Sequence, residues 1–329
     1  MTFTRTSLSI LVVLCLLMLL CACAGEVPST TNPTVGDDIT PVTSTSPTTP
    51  TTEPTVFDPW NPETYSIDDV ILIEEIDDGE REATTWLVYF TNNGTNLYAY
   101  ISVPNKVLSE KVPYSCIVYN RGGNPNFGSL TASEVSGYAL GFNSVAVAVE
   151  IRGEFPNTGK FENGDAEASD VQKLIDICEC FSFIDMDRLY MIGFSNGGLR
   201  TYMIIRNDER IKKAVILSGI ADLKRLWECR DDMHDLLIEW TGGTPTSKPE
   251  EYEKRSAVYW ADELKCPVLI IHSKLDPRAS YEEATKMVAA LEAAGKEYKF
   301  VSYDDDHHGG RAEDIPIIED WCDFGPKVS

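Results

Sequence analysis

One short stretch of the 329-residue chain carries the makings of a nucleophile: Leu189-Tyr190-Met191-Ile192-Gly193-Phe194-Ser195-Asn196-Gly197-Gly198. It reads as a buried strand, then Gly-x-Ser-x-Gly, then the start of a helix. A sharp turn between strand and helix forces the central residue into a strained backbone and projects its hydroxyl at the sheet's C-terminal edge, and only glycine at the flanking sites avoids a clash. Outside that context the same pattern describes a Gly-rich turn whose serine caps a helix. The strand ahead of the motif favours the nucleophile, with the backbone N–H of Asn196 expected to donate to an oxyanion.

A serine hydroxyl needs a base, and the base needs a group that orients it. The chain has only four histidines. His234 precedes any plausible acid, and His272 ends an aliphatic strand as a structural residue. His307 and His308 follow the last strand in Tyr303-Asp304-Asp305-Asp306-His307-His308-Gly309-Gly310. Asp276 follows a late strand in His272-Ser273-Lys274-Leu275-Asp276. Ser195, Asp276 and His308 therefore stand in the Ser…Asp…His order of an α/β hydrolase. Asp222 is a rival orienter, although it reads better as a helix N-cap. The run Asp304 to His308 also offers metal-ligand types. In so acidic a chain it reads first as a solvated loop, so neither a metal nor a cofactor is expected. Arg152 and Asp170 are expected to form structural pairs.

Such a set must be mounted on strands. Trp86–Phe90 and Leu97–Val103 are β-rich and flank Asn92-Asn93-Gly94, a strong hairpin signal. Short aliphatic runs follow at Ser115–Tyr119, Val145–Val149, Leu189–Ile192, Ala214–Leu217, Val268–Ile271 and Tyr298–Val301. They read as strands buried on both faces, the pattern of parallel strands. Val171, Leu174, Ile175 and Cys178 follow helical spacing, as do Ala284, Met287, Val288 and Leu291. A hairpin followed by strand–helix units predicts an α/β fold, a mostly parallel central sheet with helices on both faces. Gly219–Leu264, after the sixth strand, interrupts the alternation and predicts a helical insertion over the strand ends.

Composition narrows the classes further. The chain is 43% hydrophobic and 24% charged, with a formal charge of −24. A surface this acidic repels phosphate backbones, so no nucleic-acid partner is expected. Residues 1–22 read as an export signal: Arg5, then an apolar run from Leu8 to Leu20 that is short for a bilayer span of ~20 residues. The run ends Leu20-Cys21-Ala22-Cys23, which resembles a bacterial lipobox and would make Cys23 the lipid-modified N-terminus. Ordinary cleavage after Ala24 and an uncleaved anchor are the alternatives, and all three export the chain. Residues 23–61, rich in Ser, Thr and Pro, bury too little to fold and predict a disordered tether. Residues 62–329 suit one catalytic domain. Its six cysteines fit neither a zinc knuckle nor a redox motif.

From about Asp68 to Trp321 the chain resembles the catalytic domain of the prolyl oligopeptidase family of α/β hydrolases. The segments that carry the resemblance are Val118-Tyr119-Asn120-Arg121-Gly122-Gly123-Asn124, Ile151-Arg152-Gly153, Gly193–Gly198, Arg255–Ala261, His272–Asp276 and His308-Gly309. Family members read Gly-His-Gly around the catalytic histidine, which implies His308 as base and His307 as its neighbour. The position before Gly122-Gly123 often carries a His or Tyr that helps to build the oxyanion hole. Here it is Arg121, which would donate through its backbone or its guanidinium, or serve only as an ion pair. The length leaves no room for the family's gating propeller. The resemblance implies a serine hydrolase that cleaves a small peptide or ester through an acyl-enzyme, and the N-terminal segment adds the expectation that it is exported and lipid-anchored at the outer or periplasmic side of the membrane. The opposing reading is a non-catalytic surface module that uses the same fold to bind.

Overall fold

The structure, a computed structural model, describes residues 69–327. The expectations for the export segment, Cys23 and the tether lie outside the described residues. Nine strands form one sheet: β1 (Val70–Ile76), β2 (Ala83–Asn92), β3 (Thr95–Pro104), β4 (Tyr114–Asn120), β5 (Val145–Val149), β6 (Ile184–Phe194), β7 (Ile211–Leu217), β8 (Val268–Ser273) and β9 (Tyr298–Tyr303). Their order across the sheet is β1-β2-β3-β5-β4-β6-β7-β8-β9. The first three strands are antiparallel, and from β5 to β9 every neighbouring pair is parallel.

The hairpin turns on Asn93 and Gly94, whose φ angles of 50° and 78° are those of the turn that matches strand twist. The aliphatic runs of the interior strands β4 to β8 are buried on both faces, and the alternation divides them between two clusters. Cys116, Val118, Met191 and Ile270 enter one core cluster. Their neighbours Ile117, Tyr119, Ile192 and Leu269 enter the other. Helices α1 (Asn105–Glu110), α2 (Ala132–Gly141), α3 (Asp165–Cys178), α4 (Asn196–Asn207), α5 (Leu223–Cys229), α6 (His234–Thr241), α7 (Pro249–Lys254), α8 (Tyr281–Ala293) and α9 (Ile315–Trp321) cover both sides. α3, α4, α8 and residues 219–264 seal the first cluster, and α2 and α9 seal the second.

Two expectations need correction. β1 adds an edge strand ahead of the hairpin, so the helical insertion follows the seventh strand rather than the sixth. Val70–Ile76 pairs on one side only and leaves Ile71 62% exposed, yet its first four residues form an aliphatic run that is itself a strand signal and was passed over. β9 is likewise half-buried along its whole length, because it forms the opposite edge.

The insertion is fastened where it leaves the sheet. Glu283 of α8 accepts the backbone N–H groups of Ala221 (2.9 Å) and Asp222 (2.7 Å) through one carboxyl oxygen. Complete burial pushes this carboxyl up to about 8, despite the two N–H groups that favour its charged form. Unfolded, the same group ionises near its ordinary value of 4.5. Between those two values the native state holds one more proton, so this residue's contribution falls as pH rises. At ~1.4 kcal/mol per unit the effect is bounded at several kcal/mol. Glu283→Gln keeps an acceptor for the N–H groups and cannot ionise. Its thermal midpoint relative to the parent should therefore climb from pH 5 to pH 9. A constant difference across that range would show that burial of the charge costs nothing.

Candidate active site

β4 lies between β5 and β6, so the chain leaves β4 toward one side and crosses it to reach β6. Open α/β sheets bind ligands at such a switch, beyond the C-terminal strand ends. Every sequence-predicted site residue of the domain sits there. Arg121 follows β4, Ser195 follows β6, Asp276 follows β8 and His308 follows β9.

Ser195 has φ 52° and ψ −120°, a left-handed φ that disfavours any side chain. Three backbone hydrogen bonds hold it there. Its N–H donates to Leu217 (2.9 Å), and its carbonyl accepts from Gly198 (2.9 Å) and Ile220 (3.3 Å). The flanking glycines are needed for space. A Cβ on Gly193 would fall on the Thr201 hydroxyl, and one on Gly197 would fall on the carbonyl of Asn120.

His308 Nε2 stands 3.0 Å from Ser195 Oγ. Its Nδ1 meets Asp276 at 2.7 Å (Oδ2) and 3.0 Å (Oδ1). The Asp276 carboxyl also accepts the N–H groups of Arg278 (2.8 Å) and Ala279 (3.0 Å). Burial alone would raise its pKa. The hydrogen bond and charge of His308, joined by those two N–H groups, outweigh burial and hold it below the ordinary value. A carboxylate at Nδ1 requires the proton there and leaves the Nε2 lone pair facing the serine. The next residue is pinned as well, since Gly309 N–H donates to Ser218 Oγ (3.0 Å), and the Phe194 ring packs 5.1 Å from the imidazole.

The other histidines have different surroundings. His307 turns its Nε2 to the carbonyl of Gly310 (3.0 Å). His272 is buried behind the acid, with Nε2 on Ala279 O (2.9 Å), and burial keeps its pKa low. His234 stacks on Trp227. Asp222 caps α5 and pairs with Lys286, well occupied as the N-cap it was read to be. In the acidic run, Asp304 pairs with Lys274 (2.6 Å) and Asp305 with Arg311 (2.5 Å), so both carboxylates have cationic partners. Among the described residues no group of three or more His, Cys, Asp or Glu could hold a metal ion. Arg152 binds Asp170 (2.7 Å). The six cysteines are free thiols, with Cys116, Cys178, Cys266 and Cys322 buried.

Asn196 opens α4, so its N–H has no acceptor within the helix. Its side chain accepts from Asn163 (2.7 Å) and donates to the carbonyl of Gly123 (2.9 Å). The Arg121 guanidinium is committed elsewhere: Nε donates to Glu150 (2.6 Å) and Nη1 to the carbonyl of Gly122 (2.8 Å). Of the three roles open to Arg121, the side chain takes the ion pair. Sequence reasoning passed over Asn163, Glu150, Arg200 and Ser218. Glu150 had a signal, since it is a charge attached directly to the aliphatic run Val145–Val149.

A profile of the prolyl oligopeptidase family matches residues 137–323, more than half of the 329-residue chain. The uncharacterized peptidase YtmA of Bacillus subtilis is 24% identical over 201 residues, which cover 60% of this chain and 76% of that protein. Acetyl xylan esterase 1 from Thermoanaerobacterium sp. superposes with a TM-score of 0.59 and 18% identity, over 78% of this chain and 88% of its own. The acylaminoacyl peptidase of Pyrococcus horikoshii gives 0.60 and 18%, over 78% of this chain and 42% of its own, so this chain spans under half of that peptidase. At such identities the structural likeness shows the fold, an α/β hydrolase.

Proposed function

The chain belongs to the prolyl oligopeptidase family and is a serine hydrolase, and from that premise we propose that Ser195, His308 and Asp276 carry its reaction on small peptides or esters. The observation that supports the assignment is the unbroken line from Ser195 Oγ to His308 Nε2 (3.0 Å) and from His308 Nδ1 to Asp276 (2.7 Å). Ser195 Oγ attacks the carbonyl carbon while its proton passes to His308 Nε2. The tetrahedral oxyanion is held by the N–H of Asn196 and by the turn after β4. His308 then protonates the leaving amine or alcohol as the acyl bond breaks. Water repeats the sequence to free the acid. Asp276 stays ionised throughout, fixing the tautomer and stabilising the imidazolium.

A fluorophosphonate probe tests this reading. Stoichiometric labelling at Ser195, located by mass spectrometry, is the expected result. Folded protein that does not label would favour the binding module. Peptidases and esterases both occur among the relatives, so a panel of aminoacyl arylamides and short acyl esters decides between the two leaving groups.

The reading extends to location. The Leu20-Cys21-Ala22-Cys23 ending supports an exported chain anchored by lipid on Cys23, with residues 23–61 as tether. Cys23→Ser should then move the protein out of the detergent phase or stall its maturation. Unchanged partitioning together with an unmodified N-terminus would favour ordinary cleavage or an uncleaved anchor.

A further inference from the structure

The turn that leaves β4 is gripped by two buried cations that the reaction scheme does not use. Arg121 and Arg200 are 4% and 3% exposed. Arg200, on α4 and five residues beyond Ser195, donates from Nη2 to the carbonyl of Arg121. Arg121 donates from Nη1 to the carbonyl of Gly122 and from Nε to Glu150. Glu150 is itself fixed by the N–H groups of Leu130 (2.5 Å) and Ile151 (2.6 Å). Both peptide units that flank Gly122 therefore have their carbonyls held by guanidinium groups.

A trans peptide sets its N–H opposite its carbonyl. Fixing the two carbonyls thus also fixes the directions of the Gly122 and Gly123 N–H groups. Gly122 lies directly against the nucleophile, for a Cβ there would come within 3.1 Å of Ser195 Cβ. The Asn196 side chain closes the arrangement through its bond to the Gly123 carbonyl. Burial lowers Arg200 to about 10, which still leaves it charged at neutral pH. Arg200 Nη1 and Arg121 Nη2 have no hydrogen-bond partner, and both residues line a cavity of about 10 Å³ with Asn120, Glu150 and Glu167. A well-packed apolar side chain of equal volume avoids that desolvation cost, so packing alone does not account for Arg200.

We propose that Arg200 and Arg121 are positioning residues that aim the peptide N–H groups of the Arg121–Gly123 turn at the developing oxyanion, opposite the N–H of Asn196. The proposal rests on Ser195 being the nucleophile. Oxyanion donors act by being fixed before the charge appears, so a rigid mount on their carbonyl side is a catalytic requirement.

The test compares the full chain with Arg200→Met and Arg200→Lys on an activated ester. It adds binding of an aryl trifluoromethyl ketone, whose adduct with Ser195 carries the oxyanion. Methionine fills much of the volume without the donors, while lysine keeps the charge and loses the planar fork. In Arg200→Met, kcat should fall by ~10–100-fold, with KM changed less than about 3-fold. Affinity for the ketone should fall by the same factor as kcat/KM, and Arg200→Lys should recover part of the loss. Unchanged kcat in folded Arg200→Met overturns the proposal. So does a loss confined to KM with ketone affinity intact. Should the methionine variant not fold, lysine carries both readings, with kcat and ketone affinity falling together or not at all. Parent protein inert toward both ester and ketone would remove the nucleophile assignment and this proposal with it.

Discussion

Ser195→Ala lowers kcat/KM by at least ~10⁴-fold and leaves the thermal midpoint within a few degrees of the parent. The size follows from the chemistry, because the substitution removes the hydroxyl that His308 Nε2 meets at 3.0 Å. The small effect on stability follows from the backbone. Three main-chain bonds, from Leu217, Gly198 and Ile220, hold the elbow, and alanine keeps all of them. Alanine at φ 52° bears the same backbone strain as serine, so the substitution does not relax the turn. Circular dichroism and a melting curve must accompany the rates. A folded variant with more than a few per cent of parental turnover would remove Ser195 as nucleophile.

The second large effect separates two adjacent histidines. His308→Gln should cost at least ~10³-fold in kcat, because glutamine cannot shuttle a proton between Ser195 and a leaving group. His307→Gln should cost less than ~10-fold. Its imidazole turns to the carbonyl of Gly310, a contact that glutamine's amide can partly replace, and the Gly309 N–H bond to Ser218 still holds the loop. The reverse ranking would place the base one residue earlier. If both variants kept parental activity, the triad assignment would fail altogether.

The order Ser195, Asp276, His308 was legible because each residue follows a strand within a few positions, and parallel strands present their C-terminal ends on one edge. Only four histidines had to be sorted, and His234 fell away because it precedes any plausible acid. The parallel strands were legible for a related reason: two-sided burial leaves unbroken apolar runs such as Val145–Val149. β1 was missed although Val70–Ile73 is an aliphatic run, because that run is short and breaks off at Glu74 and Glu75. The environment of Arg121 was also hidden. Its partners Glu150 and Arg200 lie 29 and 79 positions away, and sequence spacing does not reveal that they share one pocket. Ser218 escaped for a subtler reason, since its hydroxyl acts through the backbone of Gly309 and leaves no side-chain pattern.

The path of residues 219–264 bears on how this fold acquires new substrates. β7 and β8 pair directly from Ala214↔Val268 to Leu217↔Ile271, so the excursion returns to the strand next to the one it left. The sheet thus sets no length for it. Longer, shorter or unrelated segments can be exchanged between Gly219 and Leu264 while the mounts of Ser195, Asp276 and His308 stay in register. Two boundary conditions travel with any graft: its first residues must still offer two N–H groups to Glu283, and it must replace the apolar cover that Leu226, Leu237, Trp240, Tyr252 and Trp260 give the first core cluster. Libraries that vary this segment should therefore hold Ile220, Ala221, Asp222 and the buried positions such as Leu223 and Leu237 constant, and diversify exposed ones such as Lys224, Glu228 and Glu239.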